Sequence, residues 1–114
     1  MEQNFKIDSF DGLKINCIVN SCSKNQDKAI FIVHGMAGHM YEYSHKYAAD
    51  FFEDEYDVYR FNFYALNKDA RKLIDCDLDI HVKDFEVVLN SFASKYQEIY
   101  LIGHSYGGVV IMHS

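Results

Sequence analysis

A β-hairpin is predicted at the start of the chain, where polar and apolar residues alternate in two short runs. The first run covers residues 5–10, and the second extends from Leu13 to Val19. Asp11 and Gly12 lie between them, and an Asp-Gly pair that joins two period-two runs is typical of a type I′ turn, in which both residues have a positive φ. The sequence therefore predicts two antiparallel strands with a tight connection.

Three further strands are predicted downstream of the hairpin. Residues Ala29 to Val33 are all apolar, and such a run is typical of a strand that is covered on both faces in the middle of a parallel sheet. The segment Tyr56 to Phe63 is rich in aromatic and β-branched residues, which favour strands. A short apolar run from Ile99 to Ile102 indicates another buried strand.

Two amphipathic helices are predicted between these strands. Apolar side chains recur at helical spacing in both segments, so each helix is expected to pack one face on the sheet. The first face consists of Tyr43, Tyr47, Ala48, Phe51 and Phe52, and the second of Leu78, Val82, Phe85, Val88, Leu89 and Phe92. Asp77 is a candidate N-cap of the second helix. His45 and His81 are expected on the exposed sides of the two helices.

Strands and helices alternate after the hairpin, and this alternation requires crossover connections between parallel strands. The predicted fold class is therefore α/β, with a β-hairpin followed by a parallel βαβαβ unit in one mixed five-stranded sheet. With 114 residues the chain has room for a single domain, residues 1–114, because domains hold roughly 100 to 150 residues.

Charge and composition exclude several classes of function. The chain has 11 Lys and Arg against 17 Asp and Glu, a formal net charge of -6 without any basic run, so nucleic acid is not an expected partner. The N-terminus lacks the apolar region of a signal peptide, and no apolar stretch approaches the roughly 18 residues of a membrane span. Cys17, Cys22 and Cys76 lack the spacing of a zinc site or a disulfide framework. These features predict a cytoplasmic protein without a transmembrane segment.

The pentapeptide Gly103-His104-Ser105-Tyr106-Gly107 follows the last predicted strand and matches the pattern GxSxG. A serine on a sharp strand-to-helix turn, a nucleophile elbow, requires small neighbours so that strand and helix can approach, and Gly103 and Gly107 meet that need. Ser105 is therefore the candidate nucleophile of an acyl-transfer reaction. The alternative is that the glycines serve only a tight turn.

The segment from His34 to His39, HGMAGH, offers a second element of such a site. An acyl-transfer site needs backbone N–H groups that bind the oxyanion of the tetrahedral intermediate. A loop that follows the first parallel strand would bring the N–H of Met36 beside Ser105. The alternative is a glycine-rich connection without a catalytic role.

Taken together, these segments resemble the α/β-hydrolases, and within them the monoglyceride lipase and lysophospholipase branch of serine aminopeptidase-like hydrolases. The resemblance runs over most of the chain, from the Asp-Gly hairpin through HGMAGH and YDVYRFNF to GHSYGG. It implies that Ser105 is the nucleophile and that the backbone N–H groups of Tyr106 and Met36 form the oxyanion hole. It also implies that His34 and Gly35 hold this loop open.

The resemblance implies a strand order of 1-2-4-3-5 and an acyl ester as the small-molecule substrate. His104 occupies the first variable position of GxSxG. It would at most contact residues of the site and would not itself contact the substrate. The branch carries a D-x-R-G-H-G-x-S stretch after its fourth strand, where this sequence reads NFYALN at residues 62–67. The substrate within the branch is therefore left open.

The α/β-hydrolases, which this sequence resembles, have their catalytic acid and histidine on loops that follow later strands. The sequence given ends at Ser114, in the helix that follows the nucleophile, and neither position exists in it. The chain is therefore expected to be an incomplete α/β-hydrolase domain with little activity by itself. The strand from Glu98 to Ile102 would then present an exposed apolar edge, which favours self-association.

Other roles for the histidines are less favoured. His34 or His39 lies on the loop beside the candidate nucleophile and is kept as an alternative general base. The spacing of His34, His39 and His45 lacks the i, i+4 pair of a helical zinc site, so no metal site and no cofactor are predicted. His113 falls in the helix that follows Ser105.

The leading hypothesis is the N-terminal portion of a serine ester hydrolase that forms an acyl-enzyme on Ser105. The alternative is a non-catalytic fragment or pseudoenzyme that keeps the elbow but lacks the base and the acid. A dinucleotide-binding protein would need GxGxxG after its first parallel strand, where this sequence has HGMAG. The sequence leaves open the acyl chain, the leaving group, the oligomeric state and the identity of the acid and base.

Overall fold

The computed structural model describes residues 1–22 and 26–114, which form a five-stranded sheet covered by helices. The strands are β1 (Glu2–Asp8), β2 (Lys14–Asn20), β3 (Lys28–Val33), β4 (Asp57–Phe61) and β5 (Glu98–Gly103). The α-helices are α1 (Tyr43–Phe52), α2 (Leu78–Phe92) and α3 (Tyr106–Met112), and short 3₁₀ turns cover Leu73–Asp75 and Ala93–Lys95. Among these residues, no helix has the length and apolar character needed to cross a membrane.

The strands lie in the order β1-β2-β4-β3-β5, as the resemblance implies. β3 pairs in parallel with β4 on one side and with β5 on the other, where Ala29 lies opposite Ile99 and Val33 opposite Gly103. β2 pairs antiparallel with both β1 and β4. The predicted α/β class and mixed five-stranded sheet are therefore confirmed.

The hairpin is confirmed, but the predicted type I′ turn is wrong. Gly12 has a φ of 87°, whereas the φ of Asp11 is not positive. The connection is a wider loop, in which the N–H of Ser9 donates to the carbonyl of Leu13 at 2.7 Å. The carboxylate of Asp11 explains the difference, because it accepts hydrogen bonds from Arg71 and is thereby held toward the segment after β4.

Two apolar layers cover opposite faces of the sheet and bury β3 between them from Ala29 to Val33. α2 and α3 pack on one face, and α1 packs on the other. The buried side chains of the first layer include Phe31, Val33, Phe61, Phe85, Val88 and Val110, and those of the second are Ile30, Ile32, Ala49 and Val58. The alternation of neighbouring β3 residues between the two layers confirms that this strand is central.

α1 packs with only part of the face predicted: Ala48 and Phe52 are partly buried against the sheet, whereas the other three residues of that face are exposed. Tyr43, Tyr47 and Phe51 are 81%, 62% and 70% exposed, although their spacing predicts a buried stripe. The buried residues of α1 are His45 and Ala49. A methyl side chain lets a helix lie close to a sheet, and this close approach turns the large aromatic side chains outward. The prediction that His45 is exposed is therefore wrong.

α2 begins as predicted, because the side chain of Asp77 accepts a hydrogen bond from the N–H of Ile80 at 2.8 Å. Its buried face also contains two polar residues, His81 and Asp84. Asp84 accepts hydrogen bonds from Arg71 at 2.8 and 3.0 Å, so its buried charge is paired. The prediction that His81 is exposed is wrong, because α2 buries more of its circumference than its apolar stripe indicates.

β5 is an edge strand, with no partner on its outer side among the described residues. Tyr100, Leu101 and Ile102 are 47%, 38% and 39% exposed, so the prediction of a buried strand at Ile99 to Ile102 is wrong for the described residues. The strand instead presents the exposed apolar edge that the sequence also predicts. An apolar edge strand carries unpaired backbone groups that can pair with another chain.

Leu101→Lys is expected to weaken self-association of the chain, because a charged side chain on an edge strand opposes pairing. Sedimentation velocity over a range of concentrations should show a rise in mass for the wild type and a smaller rise for the variant. Tyr43→Lys, a change of an exposed side chain on α1, is the control and should behave as the wild type. Equal association of the wild type and Leu101→Lys would show that β5 is not the interface.

Candidate active site

Ser105 lies at the junction where β5 ends and α3 begins. Its φ is 54° and its ψ is -115°, a sparsely populated conformation for a residue with a Cβ. Backbone hydrogen bonds hold the turn, from the N–H of Gly107 to His104 and from the N–H of Gly108 to Ser105, both at 2.9 Å. The side chain of Ser105 is exposed and makes no capping bond to α3, so its hydroxyl is accessible.

Two glycines allow this turn to lie against the sheet. A Cβ on Gly107 would lie 2.2 Å from the carbonyl oxygen of Val33, at the end of β3. A Cβ on Gly103 would lie 2.5 Å from the Cα of Gly108. Both distances are far below the roughly 3.5 Å of a favourable nonbonded contact. The close approach that GxSxG predicts is therefore present in the structure.

The loop that follows β3 reaches the elbow. A Cβ on Gly35 would lie 3.5 Å from the Cβ of Ser105, so the backbone of Gly35 lies directly beside the candidate nucleophile. Met36 follows and is 61% exposed. Ala37 has a φ of 59°, and the N–H of Gly38 donates to the carbonyl of Gly35 at 3.0 Å. These features turn the loop back on itself beside Ser105.

The segment after β4 holds this loop in place. The N–H of Phe63 donates to Nε2 of His34 at 3.1 Å, and the hydroxyl of Tyr64 donates to the carbonyl of Gly38 at 3.1 Å. Both donors belong to the NFYALN stretch, which replaces the glycine-containing stretch of the resembling branch. Phe63 and Tyr64, which depart from the family stretch after the fourth strand, therefore support the loop from His34 to His39.

His34 is fixed by its own hydrogen bonds. Its Nδ1–H donates to the carbonyl of Gly35 at 2.8 Å, and its Nε2 accepts the bond from Phe63. Burial lowers the pKa of His34 to about 4, so the ring is neutral at pH 7. With both ring nitrogens used, His34 has none left to accept a proton from Ser105.

α2 holds the elbow from the other side. Nδ1 of His81 lies 2.6 Å from the hydroxyl oxygen of Tyr106, and the imidazole stacks on Phe63 with 4.4 Å between the ring centroids. Burial lowers the pKa of His81, which favours the neutral ring. The contact between His81 and Tyr106 joins α2 to the first residue of α3. The spacing of apolar residues in α2 does not predict this contact.

One group of side chains near Ser105 has the donors to hold a metal ion. Ligand atoms of Glu42, His45 and His104 all lie within 4.8 Å of one another. Glu42 and His45 belong to the start of α1, whereas His104 belongs to the elbow. The spacing of histidines along the chain does not reveal this group, because the sheet brings the two segments together.

The structure places the predicted site residues in the loop that follows β3 and in the segment that runs from the end of β5 into the first turn of α3. These residues are His34, Gly35, Met36, Gly103, His104, Ser105, Tyr106 and Gly107. The arrangement places the exposed residue Ser105 beside the Gly35 loop, which is the relative position that a serine nucleophile and an oxyanion loop would need. The roles of nucleophile and oxyanion donor stay predictions.

The family model described as serine aminopeptidase, S33 matches residues 24–114. None of the curated proteins matches the chain.

Solved structures are similar over nearly the whole chain. Est1E from Butyrivibrio proteoclasticus has 23% identity and a TM-score of 0.79, with 96% of this chain and 43% of that chain covered. The esterase Pf2001 from Pyrococcus furiosus has 20% identity and a TM-score of 0.82, with 99% and 46% covered. The epoxide hydrolase VrEH1 from Vigna radiata has 13% identity and a TM-score of 0.76, with 98% and 33% covered. At these identities the likeness shows the fold, that of the α/β-hydrolases, and the chain spans less than half the length of these three proteins.

Gly107→Ala is expected to destabilise the chain by about 1–3 kcal/mol or more, because the new methyl group would overlap the Val33 carbonyl of β3. The matched control is Gly108→Ala in the same helix, where a Cβ would lie 3.8 Å from its nearest neighbour. Alanine is favoured over glycine in a helix, so this control should be neutral or stabilising by up to about 1 kcal/mol. Urea unfolding measures both, and equal effects would contradict the close contact at Gly107.

Acid is expected to destabilise the chain through His34. The unfolded chain protonates this ring near pH 6.5 and the folded chain near pH 4, so the unfolded state binds more protons between these values. The contribution of His34 to stability, up to about 3 kcal/mol, is therefore lost as the pH falls through this window.

Nitrogen NMR should show the His34 ring neutral and protonated on Nδ1 in the folded chain at pH 5. The same signal in urea-unfolded chain is the control and should titrate near pH 6.5. Titration near pH 6.5 in the folded chain would contradict the buried, doubly hydrogen-bonded ring.

Proposed function

Because the chain belongs to the serine aminopeptidase S33 family, we propose that it carries the nucleophile and oxyanion hole of a serine hydrolase of carboxylic esters. The family and the fold are those of hydrolases, and the similar structures include an esterase and an epoxide hydrolase. The observation that supports ester hydrolysis is the exposed Ser105 with its φ of 54°, in contact with the Gly35 loop.

In the proposed reaction, the hydroxyl oxygen of Ser105 bonds to the acyl carbon of an ester, and the carbonyl oxygen becomes an oxyanion. The backbone N–H groups of Tyr106 and Met36 bind that oxyanion, and each such donor is typically worth about 3 kcal/mol of barrier. The alkoxy group departs with a proton, and water then releases the acid from the acyl-enzyme. None of these steps uses a cofactor.

The base that accepts the proton of Ser105 is proposed to lie outside the 114 residues. His34 uses both ring nitrogens, and His81 binds the hydroxyl of Tyr106. The resemblance implies an acid and a histidine after later strands, and this chain spans 43% and 46% of the lengths of Est1E and Pf2001. The chain by itself is therefore expected to hydrolyse esters slowly or not at all.

The substrate class that we propose is a small ester with an apolar acyl group. The side chain of Met36 is 61% exposed next to Gly35, and its flexible thioether offers an apolar surface at the edge of the site. We also propose a cytoplasmic location, because Cys17, Cys22 and Cys76 lack the sequence spacing of a disulfide framework.

A fluorophosphonate probe is expected to label Ser105 slowly, because a serine hydroxyl without a base is a weak nucleophile. Added imidazole can accept the hydroxyl proton and should accelerate the labelling. Mass spectrometry of peptides locates the label, and Ser105→Ala should abolish it. Ser44→Ala is the control, since Ser44 is an exposed serine on α1 and its loss should change nothing.

Label on other residues, or none even with imidazole, would favour the non-catalytic alternative. Hydrolysis of p-nitrophenyl esters, measured in parallel, should stay near the background rate. Rapid turnover that Ser105→Ala abolishes would show instead that the base lies within this chain, and His39 would then be the first candidate.

A further inference from the structure

The side chains of Glu42, His45 and His104 form a compact polar group between α1 and the elbow. A carboxylate oxygen of Glu42 lies 3.8 Å from Nε2 of His45. The rings of His45 and His104 meet edge to face, with 5.7 Å between their centroids. The three side chains thus lie close together without a hydrogen bond between the carboxylate and the His45 ring.

His45 is the unusual member of this group. Its side chain is 7% exposed, and within the described part of the chain neither ring nitrogen makes a hydrogen bond of normal geometry, although the backbone of His39 lies close to the ring. Buried polar groups in proteins nearly always have a partner, so a buried imidazole with two orphaned nitrogens calls for one. The nearest charged group is the carboxylate of Glu42, which is too distant for a hydrogen bond.

Glu42 does not cap α1 with its side chain, although it lies at the N-terminal end of that helix, in the N-cap position. One of its carboxylate oxygens lies over Gly38, where a Cβ would come within 2.4 Å of it. The carboxylate is thereby directed away from the helix end and toward the interior of the loop.

We propose that Glu42, His45 and His104 bind a divalent transition-metal ion, for which Zn²⁺ is the best match. Two imidazole nitrogens and a carboxylate are a donor set that Zn²⁺ takes in sites with three protein ligands and an open fourth position. Mg²⁺ and Ca²⁺ prefer oxygen ligands and fit this group poorly.

The three ligand atoms need to move only a short distance toward one another to coordinate a metal ion. Tetrahedral ligands about 2.1 Å from Zn²⁺ lie about 3.4 Å apart, whereas the ligand atoms here lie up to 4.8 Å apart. His104 is exposed and Glu42 is partly exposed, so both side chains can rotate toward the buried His45. The exposed side of the group also gives the ion an entry path.

A bound ion would cross-link the start of α1 to the residue that precedes Ser105. Binding should therefore raise the melting temperature, since a ligand that binds only the folded state stabilises it. This inference does not depend on ester hydrolysis, and an inactive chain would still bind the ion.

Isothermal titration with Zn²⁺ is expected to show one saturable site per chain. His104→Gln and Glu42→Gln should each weaken binding about tenfold or more and reduce the rise in melting temperature, because each removes one of three ligands. Both positions are at least partly exposed, so circular dichroism should show an intact fold. His113→Gln, at an exposed histidine outside the group, is the control and should bind as the wild type.

Co²⁺ serves as a spectroscopic probe of the same site. Its visible absorption should indicate nitrogen and oxygen ligands, without the near-ultraviolet bands of thiolate coordination, and Mg²⁺ should not displace it. The proposal is overturned if no saturable binding occurs, if both variants bind Zn²⁺ as the wild type does, or if the Co²⁺ spectrum shows thiolate ligands.

Discussion

The candidate site depends on the contact between α3 and the end of β3. The carbonyl of Val33 lies where a Cβ of residue 107 would be, and it also accepts a hydrogen bond from the N–H of His104 at 3.0 Å. The strand end therefore holds the chain on both sides of Ser105. Because the turn is closed this tightly, Ser105 takes a positive φ and its exposed side chain stands at the edge of the sheet. The strain is local, and the surrounding backbone hydrogen bonds maintain it.

The loop beside Ser105 is held by hydrogen bonds from the segment after β4, in addition to ring contacts of Phe63 and Tyr64 with His34. The side-chain oxygen of Asn62 accepts a hydrogen bond from the N–H of Met40 at 2.8 Å, and the N–H of Phe63 donates to His34 at 3.1 Å. A buried backbone group that loses its partner is costly, so these bonds fix the loop strongly. The loop is thus positioned before any substrate arrives, as the proposed role of its backbone N–H groups in binding an oxyanion would require.

Most of the sheet could be predicted from the sequence, because strand and helix periods are local signals. The continuous apolar run of β3 and the spacing of α2 were sufficient to place both elements, and GHSYGG marked the elbow. The orientation of α1 could not be predicted, since the exposure of Tyr43 depends on how closely Ala49 approaches the sheet. The burial of His81 had no local signal either, because its partner Tyr106 lies 25 residues away along the chain. Tertiary polar contacts of this kind leave no period in the sequence.

The histidines around the elbow differ in what their nitrogens can do, although burial lowers the pKa of His34, His45 and His81 alike. A general base needs a free ring nitrogen in reach of its proton donor. His34 uses both ring nitrogens and His81 uses Nδ1 in hydrogen bonds that hold the loop and the elbow. Nε2 of His81 and both nitrogens of His45 are buried without a hydrogen-bond partner among the described residues. A neutral imidazole next to a carboxylate is the state in which these groups bind a metal ion. The hydrogen bonds of His34 and His81 that hold the loop and the elbow are thus formed within this chain, so the geometry of the elbow does not depend on the base proposed to lie outside it.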